Sequence, residues 1–503
     1  MIISSYKIKE NWNLNFSNPQ ILLETLQQLR QSVYAEGKEI FNQWRNTISR
    51  RSFLISGLNL AYYLALRQHD LRQEQAALMP LGLSSLGRCE ARVLQNLDAV
   101  IASLGAICQI DSSSLLRHPT ARAFFRGDRL LRRHTKDLLG DIHAQRWVRI
   151  MVTLPTEAAT DYALIKDLLQ RGTNCVRINC AHDTSTEWEA MVNHVRKAEA
   201  ETGQACKVLM DLAGPKIRTA DVMTPEDRKR LYVGDRLLLT RDQPKPFSDV
   251  AFQARCTIPT VLEQVATGQT VWIDDGEIGA EIESIITEGV LLRVTQTSPE
   301  GKKLKSDKGI NFPDTPLRLR ALTEKDCRDL DFIAAHADIV GYSFVQEAAD
   351  IELLQQELAA RQQQHLGIIA KIETQKAVQN LPELIVQAAG KQPFGVMIAR
   401  GDLAVEIGYQ RMAEMQEEML WICEAAHVPV IWATQVLENM AKKGIPSRAE
   451  MTDAAMAERA ECVMLNKGAF IGEAVAILDD VLTRLQAHQV KKTPQLRALH
   501  SWF

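Results

Sequence analysis

From about residue 147 onward, short apolar runs rich in β-branched residues alternate with stretches whose apolar positions recur at helical spacing, the rhythm of a parallel sheet. The runs begin near 147 (WVRIMVTL), 175 (CVRINC), 206 (CKVLMDL), 338 (DIVGYSF), 366 (LGIIAKIE), 394 (FGVMIA), 428 (VPVIWAT) and 462 (CVMLN). Successive starts lie 28 to 34 residues apart, as one strand, one helix and their loops require, except that the third and fourth are separated by 132. Eight units are what a closed (β/α)8 barrel needs. Capping boxes predict helix starts at Thr186 with Glu189, Thr323 with Asp326 and Ser447 with Glu450.

The excess length after strand three, residues 219–308, reads as β: RLLLT, TVWIDDGEIGAEIES and GVLLRVTQT alternate and are broken by turn residues. Residues 1–145 instead show helical periodicity, as in PQILLETLQQLRQSVYAEGKEIFNQW and SLGRCEARVLQNLDAVIASLGAI. The predicted architecture is α/β: a (β/α)8 TIM barrel (146–218 and 309–503), an inserted small β-barrel lid domain (219–308) and an all-α N-terminal domain (1–145). Small residues at both lid crossings, Ala220 and Gly309, predict a lid that moves.

Composition narrows the functional classes. At 503 residues with a formal net charge of -3 there is no basic field for nucleic acid or an anionic membrane. The arginine-rich stretch TARAFFRGDRLLRRHTKDLL is read as a solvated helix face. Nine cysteines show no C-x-x-C spacing and sit largely in apolar runs, which predicts buried thiols in a reducing compartment. The start MIISSYKIKENWNL has no long apolar segment, and the apolar run FLISGLNLAYYLAL is too short to span a bilayer and carries Asn59. A cytoplasmic enzyme with small-molecule partners is expected, and the run LNLAYYLAL is a candidate face for a homo-oligomer.

Candidate chemistry gathers where a barrel places it, at the strand C-termini: Arg177 and Asn179 after strand two, Asp211 after three, Lys371 and Glu373 after five, Asp402 after six and Thr434 after seven. Lys371 and Glu373 are two apart and leave the strand on one face. Two carboxylates with room for waters suit Mg²⁺ or Mn²⁺, and backbone N–H groups around Gly401 and Asp402 would add an anion seat at a helix start. In MDLAGPKIRTA, Lys216 and Arg218 lie two residues apart, and like charges so close repel unless an anion or an acidic wall stands between them. A metal, a lysine and arginines around an anion suit phosphoryl transfer, and equally metal-assisted enolate chemistry.

The segments VRINCAHD, DLAGPKIRTA, DDGEI, KGINFP, AKIET, ARGDLAVEI and ATQVLENMAKKGIPSRAEMTDAAMA occur in an order, with the β insert in a place, that resembles the pyruvate kinase family over about 147–489. The resemblance implies transfer of the phosphoryl group of phosphoenolpyruvate to ADP, with Glu373 and Asp402 binding the divalent metal and Lys371 stabilising the phosphoryl group in flight. It places Arg177 on the substrate phosphate, Gly401 and Asp402 at its carboxylate and Thr434 near the enolate carbon. Asn179, His182, Arg218 and, from the lid, Lys308 would surround the nucleotide phosphates. Many members need K⁺ held at the positions matching Asn179, Ala181, Asp211 and Leu212, two of which lack a side-chain oxygen here. Potassium-independent members carry lysine at the position of Lys216, so this chain is expected to need no K⁺, with Asp211 as the carboxylate beside the tethered ammonium.

The departures from the family are local. NKGAFIGEAV after strand eight is shorter than the family's nucleotide-bordering segment, and TLPTEA replaces its usual turn after strand one. Phe503 follows soon after the eighth helix, so regulation through the family's C-terminal domain is not expected. A metal-dependent oxo-acid lyase on the same barrel and a phosphoenolpyruvate-sensing pseudoenzyme are the alternative readings.

Overall fold

The protein, in a computed structural model, is described for residues 18–83, 85–110, 116–142, 146–246, 250–495 and 497; the N-terminal segment read above for a leader lies outside these. The chain divides into two compact units, one of residues 1–46, 52–130 and 424–427, the other of 47–51, 131–423 and 428–503.

In the first unit, helices Pro19–Trp44, Leu54–Leu66 and Val93–Ile107 pack together. Asn18 caps the first by accepting from Gln20 N at 2.9 Å. Leu22, Leu26, Val33, Leu60, Leu97 and Ile101 are fully or almost fully buried. The lone amide in the apolar run, Asn59, donates to Glu90 O (2.7 Å) and accepts from Val93 N (3.0 Å), so it holds the start of a neighbouring helix rather than facing solvent. Leu60, Ala61, Tyr62, Tyr63, Ala65 and Leu66 are buried, which corrects the expectation that LNLAYYLAL offers a free oligomer face.

The second unit contains the expected eight parallel strands: β1 (Arg149–Thr153), β2 (Cys175–Asn179), β3 (Lys207–Asp211), β4 (Ile339–Tyr342), β5 (Gly367–Ile372), β6 (Phe394–Ala399), β7 (Val430–Ala433) and β8 (Cys462–Leu465). They close in sequential order into a barrel, β8 pairing with β1. Met151, Cys175, Leu209, Ile369, Met397 and Ile431 pack in one core cluster with Leu138 and Leu139, from the end of helix Arg126–Leu139. That helix keeps Leu131, Leu138 and Leu139 buried and Arg126, Arg129, Arg132 and Arg133 exposed, the solvated basic face read from the sequence.

Thr323 with Asp326 and Ser447 with Glu450 form capping boxes as expected. At the third site the box is Thr184 with Glu187, two residues earlier than Thr186 with Glu189. Asp183 turns the chain with a left-handed φ of 63°, and the helix Ser185–Thr202 then buries Trp188, Met191, Val192 and Val195.

Between β3 and β4 the inserted chain forms a seven-stranded sheet, in the spatial order 310–311, 270–273, 278–286, 289–296, 236–240, 252–256, 219–223. Leu237, Leu239, Phe252, Ile273, Ile282 and Leu292 make its own core. Chain entry and exit run side by side: Arg218 and Gly309 form an antiparallel bridge, Ile310 N donates to Ile217 O (2.9 Å), and Thr219 N donates to Lys308 O (2.8 Å). All nine cysteines are free, and seven are buried. Among the described residues no helix is long and apolar enough to cross a membrane.

Candidate active site

Asp211 ends β3 and is almost completely buried. Arg177, two residues from the end of β2, donates from Nε to Asp211 Oδ2 at 2.9 Å, and its terminal nitrogen makes a second, shorter bond to the same oxygen. Lys371 Nζ, from β5, stands 3.4 Å from Asp211 Oδ2 and 2.9 Å from Glu373 Oε1. Burial pushes the Asp211 carboxyl upward, but the Lys371 and Arg177 cations outweigh it and hold the group below its ordinary value. Glu373 shifts the other way, raised by burial and by the like charge of Asp402 against the opposing pull of Lys371.

Two elements missed in the sequence complete this cluster. Ser343, buried just past the end of β4, accepts from Lys371 Nζ at 2.7 Å and donates to Leu212 O at 2.7 Å, which aims the ammonium. The next residue, Phe344, has a left-handed φ of 55°, and its N–H donates to Glu373 Oε2 at 2.6 Å. The signal was a small hydroxyl residue at a strand C-terminus in GYSFV. Gly341 is also required, because a Cβ there would lie 2.4 Å from Asp211 Oδ1.

Beyond β6 the helix Arg400–Ile407 places Gly401 and Asp402 in its first turn. Gly401 N donates to Thr434 Oγ1 at 2.9 Å, and Thr434 itself has a left-handed φ of 66°. Arg400 braces that turn by donating to Ala433 O (2.9 Å) and Thr434 O (2.6 Å) while paired with Asp453. Lys216 Nζ lies 2.8 Å from Asp402 Oδ1. Asp211, expected as a nearby carboxylate for Lys216, has its charge met by Arg177 and Lys371.

A cavity of about 150 Å³ brings together Arg177, Asn179, Lys216, Arg218, Lys371, Glu373, Asp402 and Thr434. His182 does not line it; with Asn179 it borders an adjoining cleft of about 220 Å³, which also holds Asn466 and Lys467 from the shortened segment after β8 and Lys442. Lys308 lines neither: its ammonium is 2.8 Å from Asp274 Oδ1, inside the lid. Arg218 pairs with Asp307 at 3.3 Å. Glu373 and Asp402 line one cavity, and each has a lysine within 2.9 Å as counter-charge, a donor set that fits a hard divalent cation completed by water or substrate oxygens.

Fold and cavity together define a lidded (β/α)8 barrel whose strand C-termini converge on a polar pocket. Residues 145–475 match the family model described as the pyruvate kinase barrel domain. The chain is 32% identical over 342 residues to the pyruvate kinase of Dictyostelium discoideum, covering 66% of this chain and 64% of that protein. It is 30% identical to that of Geobacillus stearothermophilus (68% of this chain, 57% of that one) and 32% identical to human pyruvate kinase PKLR (68% and 60%). The chain belongs to the pyruvate kinase family. The similarity spans less than two thirds of the length of these relatives.

Proposed function

We propose that this chain transfers the phosphoryl group of phosphoenolpyruvate to ADP, giving pyruvate and ATP, and that it does so without potassium. The observation that carries the reading is the meeting of Arg177, Lys371, Glu373, Asp402 and Thr434 around one cavity. Arg177, held by Asp211, receives the substrate phosphate; Lys371, aimed by Ser343, lies against the phosphoryl oxygens as their charge redistributes. Glu373 and Asp402 would hold Mg²⁺ or Mn²⁺, which when bound neutralises charge on the phosphoryl and enolate oxygens. The turn at Gly401 and Asp402 seats the carboxylate, and Thr434 stands on the side from which the enolate carbon takes its proton. Asn179, His182, Arg218 and, on lid closure, Lys308 attend the nucleotide phosphates. Lys216 provides a tethered positive charge where relatives recruit K⁺.

A lactate dehydrogenase-coupled assay tests the reading: pyruvate forms from phosphoenolpyruvate only with ADP and Mg²⁺, and Glu373→Ala abolishes it. Absence of ADP-dependent pyruvate from the wild-type protein overturns it.

A further inference from the structure

On the far side of the Lys216–Asp402 pair lies a second and larger cavity, about 450 Å³, between the chain returning from the lid and the loops after β4, β5 and β6. Its size is that of a small-molecule site. Its apolar lining comes from Phe312, Leu317 and Leu319 of the returning chain and from Phe344. Its charges do not balance internally. Lys216 is committed to Asp402 at 2.8 Å and Lys376 to Glu347 at 3.0 Å. Glu406, one helical turn beyond Asp402, has the Asn311 amide at 2.9 Å and, among the described residues, no cation within ion-pair distance. A half-buried carboxylate next to apolar surface repels anions and lacks a counter-charge.

We propose that this cavity is a ligand site for an amphiphilic amine, whose ammonium pairs with Glu406 while its apolar body lies on Phe312, Leu317 and Leu319. The occupant touches the lid-return segment and the barrel together, so its binding energy depends on the lid position. It also meets three residues that the smaller cavity shares, Lys216, Phe344 and Asp402. Because the Phe344 N–H holds Glu373, displacement of that ring is transmitted to the carboxylate. The binding claim is independent of the reaction proposed above, since it is read on the protein without turnover.

Tryptamine is the probe, titrated calorimetrically into the full-length protein, with tryptophol as its neutral and indole-3-propionate as its anionic counterpart. Saturable one-to-one binding of tryptamine is expected, about tenfold weaker for tryptophol, as loss of a charge-assisted contact implies, and absent for indole-3-propionate. Glu406→Gln should reduce tryptamine affinity to that of tryptophol. Gln379→Trp, a substitution at an exposed position on the cavity rim, should block binding without touching the core. Failure of tryptamine to bind, equal binding of tryptophol, or unchanged affinity in Gln379→Trp each overturns the proposal.

Discussion

Lys216 and Asp402, 186 positions apart in sequence, are joined by a 2.8 Å ion pair that forms a wall shared by two cavities. The lysine comes from the segment that leads into the inserted sheet and the aspartate from the helix after β6, so the contact fixes that segment to the helix whose aspartate would help hold a divalent cation.

Reversing the charge at that point places two carboxylates in contact. Lys216→Glu is expected to lower kcat by about 10²-fold or more, as removal of one preorganised charge does. Added KCl should recover only part of the loss, because Ala181 and Leu212 offer no side-chain oxygen. The wild type should be nearly as active in tetramethylammonium buffer as in potassium; strict dependence on KCl would refute the tethered-cation reading.

Ser343 positions rather than reacts. Ser343→Ala leaves Lys371 without its 2.7 Å acceptor while keeping both of its carboxylate partners. A fall in kcat of about tenfold is expected, as the loss of one hydrogen bond to a charged group implies, with the KM for phosphoenolpyruvate little changed. Partial rescue by Ser343→Thr would separate aiming from packing, and a change confined to KM would contradict the role.

Gly341→Ala drives a methyl group into Asp211 Oδ1, and Asp211 cannot swing away while Arg177 grips it. A loss of about 1–3 kcal/mol is expected, accompanied by reduced substrate affinity as Arg177 is dislodged. Urea unfolding beside substrate titration checks both; an unchanged midpoint would show that the strand absorbs the methyl group.

Glu458, buried at the foot of β8, has one carboxylate oxygen without a hydrogen-bond partner. Burial pushes its carboxyl from 4.5 to about 7, against partial relief from Gln489 and Lys491. Its folded pKa is raised, so its contribution is fully present below pH 4.5 and is lost as the pH rises through about 7, when the folded state must give up a proton it favours. The cost is of order 3 kcal/mol. Glu458→Gln should therefore raise Tm at pH 8 relative to wild type and change it little at pH 5. Equal shifts at both pH values would sink this account.

Local patterning made the barrel legible, because eight apolar runs at even spacing have few other solutions, and strand C-termini named most of the cavity before any contact was known. What remained hidden depends on distances across the barrel. Periodicity could not say that Lys216 meets Asp402, because Asp211 at the end of β3 and Asp402 after β6 are both acids at the same end of the barrel. Nor could it separate Thr184 from Thr186 as the helix cap, because the choice depends on which turn buries Trp188. Ser343 escaped for the same reason: its importance lies in the Lys371 ammonium of the next strand and not in its own segment.

The paired crossing at Arg218 and Gly309 has a mechanical consequence. Two antiparallel segments joined by backbone hydrogen bonds hold one another in register, so the inserted sheet meets the barrel through a single two-stranded neck and not through two independent linkers. Lys216 stands at that neck, two residues from the bridge. Any rotation of the inserted sheet about that neck would reach Lys216 and, through its ion pair, the electric field at Asp402.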